Sequence, residues 1–249
     1  MTRSEEGAYT PMMTAEEAER IRRWHESAYR AAIEEAGAEG QVFEYLGRTI
    51  AVPPQVHPIT GMSHLLGEAV LAEVRPEDRV LDMGTGSGVN AILAASVATQ
   101  VLAVDVNPVA ITAARENAAR NGVADRIEVR HSDVFSAVTG QFDLIIFDPP
   151  FRWFRPRDVL EMASTDEDYR ALTTFFRHAR EYLSDSGRML IFFGSSGDLA
   201  YLEHLMSEQG FSYRVIAERA LTKEGHTVRY LTFRDRKSTR LNSSHLGIS

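Results

Sequence analysis

Residues 80–88 read VLDMGTGSG, and they restrict the fold more than any other stretch of the chain. Four residues of strand character run into a loop with glycine at 84, 86 and 88, and a helix-forming run from Asn90 to Ala98 follows at once. A strand handing over to a helix through such a loop is the opening unit of an open α/β sheet, where ligands bind at the carboxyl ends of the strands. Glycine lets the backbone turn tightly and approach a ligand closely. The pattern then repeats. VLAVD (101–105) reads as a strand, and Pro108 to Asn121-Gly122 as a helix with proline at its first position and glycine near its C-cap. RIEVR (126–130) is a strand, and FDLIIFD (142–148) is apolar enough to be buried on both faces. A helix over 166–183, a strand RMLIFF (188–193) and a helix over 198–208 follow. The last two strands, about 211–219 and 226–233, are joined through Lys223-Glu224-Gly225, too tightly for a parallel crossover, so one of them runs antiparallel.

Ahead of this alternation, Thr14 and Glu17 have capping-box spacing, and Ile21, Trp24, Ala28 and Ala31 recur at helical intervals, which predicts one amphipathic helix over 15–36 ended by Gly37 and Gly40. Trp24 reads as a core contact of that helix. FEYLGRTIAV (43–52) reads as two short strands turning at Gly47, Pro53, Pro54 and Pro58 break the chain, and a helix spans about 63–74. The expected organisation is a helix-plus-hairpin extension over 1–58, a catalytic α/β domain over 59–235, and a tail over 236–249. The tail is polar, serine-rich and aperiodic, and KSTRLNSSHLGIS resembles read-through into vector sequence, so it is read as non-native and disordered.

Of 249 residues 44% are hydrophobic and 25% charged, and no run approaches the roughly 18 apolar residues of a membrane span. The start lacks the apolar run of a secretory signal, so a cytoplasmic location is expected. Cysteine is absent, which excludes disulfides, zinc-thiolate sites, iron–sulfur clusters and cysteine nucleophiles. The eight histidines show no ligand spacing, so no metal is expected. The net charge of −8 argues against a large non-specific nucleic-acid surface while leaving room for a local basic patch.

The glycine loop is G-x-G-x-G, which departs from the G-x-G-x-x-G dinucleotide fingerprint and lacks the G-K-[ST] of a P-loop. Its neighbours carry the chemistry. Asp105 ends the strand after that of Asp82, where an acid can accept both hydroxyls of a ribose. Asp133, in HSDVF, is either an acceptor for an adenine amino group or a helix N-cap. Asp148-Pro149-Pro150-Phe151 ends the fourth strand in a stiff, donor-free turn. Gly194-Ser195-Ser196-Gly197 is no nucleophile elbow and reads as a loop beside the pocket.

This succession resembles the class I S-adenosylmethionine-dependent methyltransferases over residues 41–235. The resemblance implies a doubly wound, mostly parallel seven-stranded Rossmann-like sheet with an antiparallel final strand. It also implies S-adenosylmethionine as the cofactor. Asp82 with Gly84, Thr85, Gly86 and Gly88 would hold the methionine portion, Asp105 with Val106 the ribose, and Asp133 with Val134 the adenine. DPPF is similar to the [ND]PP[FYW] signature of enzymes that methylate nitrogen conjugated to a planar system, among them the release-factor glutamine methyltransferases and adenine- or guanine-amino methyltransferases. Asp148 and the Pro149 carbonyl would accept the two N–H bonds of the acceptor, Pro150 would stiffen the turn, and Phe151 would stack on the planar group. Residues 43–66 also resemble the hairpin and entry segment of the glutamine methyltransferases, with HPITGMS where those usually read PRPET, and with Asp148 and Phe151 where they usually have Asn and Tyr. A protein glutamine is the favoured acceptor. An exocyclic amino group of RNA or DNA, a small molecule, or cofactor binding without turnover are the alternatives. The segment Arg152-Trp153-Phe154-Arg155-Pro156-Arg157 interleaves aromatic and basic residues, which could stack on bases and hold phosphates, bind an acidic peptide, or pack as a lid over the pocket.

Overall fold

The computed structural model describes residues 9–36, 40–223 and 226–237. The helix α1 (Ala15–Ala36) starts at the expected capping box, in which the Glu17 N–H donates to Thr14 Oγ1 at 3.2 Å and the Thr14 N–H to Glu17 Oε2 at 2.9 Å. The hairpin β1 (Gln41–Tyr45) and β2 (Arg48–Val52) pairs Tyr45 with Arg48, leaving a two-residue loop in which Leu46 and Gly47 both have positive φ, 46° and 74°. That is the primed turn whose twist matches a hairpin. Gly37, expected to end α1, and the Glu224-Gly225 turn lie outside the described residues.

The main sheet holds seven strands in the order β5-β4-β3-β6-β7-β9-β8. These are β3 (Arg79–Met83), β4 (Gln100–Asp105), β5 (Ile127–His131), β6 (Phe142–Phe147), β7 (Leu183–Gly194), β8 (Phe211–Lys223) and β9 (His226–Lys237). Within this sheet β9 runs antiparallel to both its neighbours, β7 and β8, as the tight join requires. The helices α2 (His64–Glu73), α3 (Val89–Ala95), α4 (Pro108–Arg120), α5 (Arg170–Tyr182) and α6 (Leu199–Glu208) cover the two faces. Alternate strand residues feed two cores: Leu144 and Ile146 of β6 pack with α2, α3 and α4, while Ile145 and Phe147 pack with α5 and α6. This is why the strands are apolar without a break.

The hairpin is no loose appendage. Asn117 of α4 exchanges both backbone hydrogen bonds of Ala51, at 2.9 and 2.7 Å, and Asn121 does the same for Thr49, at 3.1 and 2.9 Å. Tyr45, Ile50 and Val52 join the main core. Two elements differ from expectation. The helix expected from 166 begins at Arg170, because Asp168 and Tyr169 take left-handed φ of 55° and 51° and turn the Tyr169 side chain fully inward. Asp166 still caps α5, accepting from the Ala171 and Leu172 N–H groups at 3.0 and 2.9 Å. The final strand continues two residues past 235, with Arg236 and Lys237 paired to β8, while 238–249 lie outside the described residues. No described helix is long and apolar enough to cross a membrane.

Candidate active site

The registers of β3 with β4 and β6 place Asp105 and Asp148 on either side of Gly84 at the carboxyl edge of the sheet. At the usual strand spacing their backbones stand roughly 10 Å apart. Asp82 lies between them one turn of the loop deeper, 1% exposed, and accepts from Thr85 Oγ1 at 2.6 Å and the Ala91 N–H at 3.0 Å. Asp82 thus fastens both ends of the glycine loop. Asp105 fastens its middle: Oδ2 accepts the Gly86 N–H and Oδ1 the Asn107 N–H, both at 2.8 Å. Gly88 has φ 85° and sits so close to α4 that a Cβ would reach the Ala114 backbone at 3.0 Å. The Thr85 N–H closes the loop onto the Val104 carbonyl at 2.9 Å.

The three carboxylates make the floor of the cleft strongly acidic, and no described Lys or Arg forms an ion pair with any of them. Burial pushes Asp82 up to about 7, against the pull of Thr85 and Ala91. Asp148 is open to the cleft but hemmed in by protein, and that loss of water, with the Asp82 charge added, pushes it up to about 7 as well. Burial raises Asp105 too, held back by the Asn107 and Gly86 N–H groups. A floor of this kind favours a ligand that brings positive charge and hydroxyl or amine donors. Val106, 41% exposed beside Asp105, adds an apolar ledge.

Asp133 stands apart from the floor. It is exposed, and its two oxygens take the Arg170 guanidinium at 3.1 and 3.2 Å. The residues after it form a turn rather than a helix, with Val134 buried at φ 48°. Phe151 is half-buried, its ring 5.1 Å from that of Phe193 and 5.7 Å from that of Phe192. The DPPF segment lies so close to the loop after β7 that a Cβ on Gly197 would fall 1.9 Å from the Phe151 carbonyl oxygen.

The RWFRPR segment does not form an exposed stacking platform. Trp153 and Phe154 are buried, packed against Tyr9, Tyr169 and His25. Arg157 forks onto Glu161, reaches Glu26 at 3.1 Å and covers the Tyr29 ring, and Arg155 lies 4.0 Å from Glu167. These residues clasp α1 to the domain. Burial opposes ionisation of Glu161, yet the Arg157 and His25 hydrogen bonds together pull it down to about 2. Of the segment's three arginines only Arg152 turns inward, 9% exposed.

Four further side chains shape the site. His57, on the entry segment, is open at its surface yet crowded by protein, and that loss of water with the Arg152 charge holds it down to about 4. Asn107 caps α4 and binds the Gln55 carbonyl at 3.0 Å, tying the entry segment to the Asp105 corner. Asp198 caps α6 and also accepts from Tyr9 Oη and the Met12 N–H, each at 2.6 Å. The Tyr169 hydroxyl bridges the Phe151 carbonyl and the Asp198 N–H. Asn107 and Asp198 are legible in sequence as helix caps, but their second partners, 52 and 186–189 positions away, are not.

Comparison with known proteins bears on this arrangement. The family model described as "Methyltransferase small domain" matches residues 61–220. The release factor glutamine methyltransferase of Cereibacter sphaeroides is 39% identical over 145 residues, covering 52% of this chain and 50% of that protein. The ribosomal protein L11 methyltransferase of Desulfitobacterium hafniense is 46% identical over 79 residues, 32% of this chain and 25% of that protein. The chain therefore spans a quarter to a half of the length of these curated relatives. The solved ribosomal protein L11 methylase of Lactobacillus delbrueckii subsp. bulgaricus superposes with a TM-score of 0.58 at 21% identity, covering 80% of this chain and all of that one, which establishes a shared fold.

Proposed function

The chain belongs to the methyltransferase small domain family, and from that premise we propose that it transfers the sulfonium methyl group of S-adenosylmethionine to a planar nitrogen, with a protein glutamine side-chain amide as the favoured acceptor. The observation that carries this reading is the position of Asp148-Pro149-Pro150-Phe151, at the end of β6 and next to the acidic floor made by Asp82 and Asp105. The cofactor fits that floor. Its sulfonium and ammonium charges match carboxylates that lack a cation, and its ribose hydroxyls match Asp105, whose carboxylate is already oriented by Gly86 and Asn107. Asp82 and the 84–88 loop would hold the methionine portion, Asp105 with Val106 the ribose, and Asp133 with Val134 the adenine end. When bound, S-adenosylmethionine supplies an activated methyl group, so the protein needs no strong base.

The chain's own task is to present the nitrogen. An amide nitrogen has a delocalised lone pair and is a poor nucleophile. Asp148 accepts one N–H and the Pro149 carbonyl the other, which points the lone pair along the line of transfer. With its acidity lowered into the neutral range, the Asp148 carboxylate can also hold the proton that the methylated nitrogen releases. The similarity to a protein named as a release factor glutamine methyltransferase, over half of this chain, supports a polypeptide acceptor. The exocyclic amino group of a nucleic acid is the second reading, and the enclosed aromatics and paired arginines of RWFRPR count against it.

The test is labelled-methyl transfer into a cell extract, followed by separate protease and ribonuclease digestion. Label lost with protease and kept through ribonuclease is the expected result. The opposite pattern refutes the polypeptide acceptor, and failure to bind S-adenosylmethionine in calorimetry refutes the activity itself.

A further inference from the structure

The ligand order along the sheet leaves one place for the acceptor. Asp105 on β4, the loop after β3 and Asp148 on β6 form the cofactor floor, so whatever receives the methyl group lies toward β7 and β9. Arg152 stands on that side. Its backbone is fixed by the Asp166 N–H, which donates to the Arg152 carbonyl at 2.8 Å, and by a bridge to Thr165. Its guanidinium faces Ser196 in the loop after β7, with Nη2 3.4 Å from the Ser196 hydroxyl. The titratable groups that feel its charge are His57, His25, Tyr169 and Tyr230, none of them a carboxylate. Nε is buried and has no hydrogen-bond partner, and no described carboxylate forms an ion pair with this arginine.

An arginine only 9% exposed, with a buried Nε and no counter-charge, is costly, and burying it serves no packing need that a neutral side chain could not meet. The other arginines of the same segment show the contrast, since Arg155 and Arg157 both find glutamates. A cavity of about 560 Å³ opens beside Ser196; its wall holds Trp24, His226, Arg20 and the carboxylates Glu17 and Asp198, both engaged by neighbouring hydrogen bonds, and Arg152 borders it through Ser196. Trp24, expected as a core contact of α1, instead stands half-buried on this cavity's wall, outside both cores, and its Nε1 is a second buried donor without a partner. Trp24 lines this cavity and Arg152 reaches its edge through Ser196, so a chain bearing carbonyl and carboxylate oxygens would meet donors in want of acceptors there.

We propose that Arg152 is a specificity-determining residue that anchors a carboxylate next to the methyl-accepting nitrogen of a polypeptide. The proposal rests on the planar-nitrogen reading above. A single sunken cation suits one carboxylate. A nucleic-acid backbone is met instead by several exposed cations along a surface. The carboxylate comes from an acidic side chain adjacent to the acceptor glutamine or from a chain terminus, and both present the same pair of oxygens to the fork of Arg152.

The experiment uses the full chain saturated with S-adenosylhomocysteine, so that binding is read without turnover. Calorimetry compares acetyl-Gly-Glu-Gln-Glu-Gly-amide, its twin with both glutamates as methyl esters, acetyl-Gly-Gly-Gln with a free C-terminus, and a short unstructured RNA. The expected result is binding of a carboxylate-bearing peptide at least tenfold tighter than its neutral twin. Arg152→Lys should keep part of that preference and Arg152→Met should abolish it. Side-chain and terminal carboxylates are told apart by which peptide gains. Thermal unfolding of the free protein is the second readout. Arg152→Met should melt no lower than wild type, because it removes an uncompensated buried charge, whereas a merely structural arginine would leave a destabilised variant. Equal binding of charged and neutral peptides by wild type, Arg152-dependent binding of the RNA alone, or a preference that survives in Arg152→Met overturns the proposal. Failure to bind S-adenosylhomocysteine at all overturns instead the reading it rests on.

Discussion

Asp148 should leave its signature in the pH dependence of methyl transfer. Crowding at the floor of the cleft and the neighbouring Asp82 charge push its pKa up to about 7, so near neutrality it is only partly ionised. The ionised form is the one that accepts the acceptor's N–H. With a pKa near 7, about 1 molecule in 11 carries the active form at pH 6 and about 10 in 11 at pH 8, so kcat/KM should climb about tenfold across that interval. Asp82 titrates in the same range because burial raises it too, and it could produce the same limb through the cofactor. The variants separate the two. Asp148→Asn keeps one acceptor oxygen and removes the titration, so its profile should be flat between pH 6 and 8. Asp148→Ala should lower single-turnover methyl transfer by about a hundredfold, the scale for losing one pre-organised site hydrogen bond, while cofactor affinity at pH 8 moves far less. The assay is single-turnover transfer of labelled methyl into a fractionated extract at saturating cofactor. Wild-type turnover in Asp148→Ala, or an unchanged acidic limb in Asp148→Asn, would refute the assignment.

Asp105→Ala should weaken S-adenosylmethionine binding in calorimetry by about 1.5–3 kcal/mol per lost charged hydrogen bond, and lower the melting temperature, because Gly86 and Asn107 each lose an acceptor at 2.8 Å. Glu161→Gln should cost about 3 kcal/mol in urea unfolding at pH 7, the low end for a broken buried pair because Arg157 is half-exposed. That deficit should shrink as pH falls from 4.5 toward 2, since a carboxylate with a lowered folded-state pKa loses its stabilising effect on protonation there. Asp235 behaves in the opposite sense. It is fully buried on β9 with no side-chain or cation partner, and burial, opposed only by the adjoining Arg236 N–H, pushes it up to about 7, so it costs stability as pH rises from about 4 to 7. Asp235→Asn should unfold at higher denaturant than wild type at pH 8, by on the order of 1 kcal/mol.

The catalytic half of the molecule was legible because its information is local. A parallel sheet needs a turn at the carboxyl end of each strand, and the residues that make the turn are adjacent in sequence to the strand itself. Asp82, Asp105 and Asp148 could be placed at one edge by counting along three strands, and the registers put them there. The antiparallel last strand followed in the same way from the shortness of its connection. Lengths were less legible: β7 begins five residues earlier than its apolar run, because pairing continues past the irregularity between Phe142 and Leu144 and needs no apolar side chains to do so.

Partnerships across the chain were not legible, and they decide what the basic residues mean. RWFRPR carries three positive charges within six positions, and as a sequence it is compatible with a patch for an anionic partner and with a packed lid alike. The fold supplies Glu161 and Glu26 to Arg157 and Glu167 to Arg155, and it packs the two aromatics against α1 and the segment before it. The segment's polyanion affinity is thereby largely cancelled from within. A run of charge states only how much counter-charge is needed, and neighbours 131 residues away determine whether the protein provides it or the ligand must. At Arg152 the protein does not provide it. If the acceptor is the polypeptide proposed above, its recognition turns on that buried, unmatched cation.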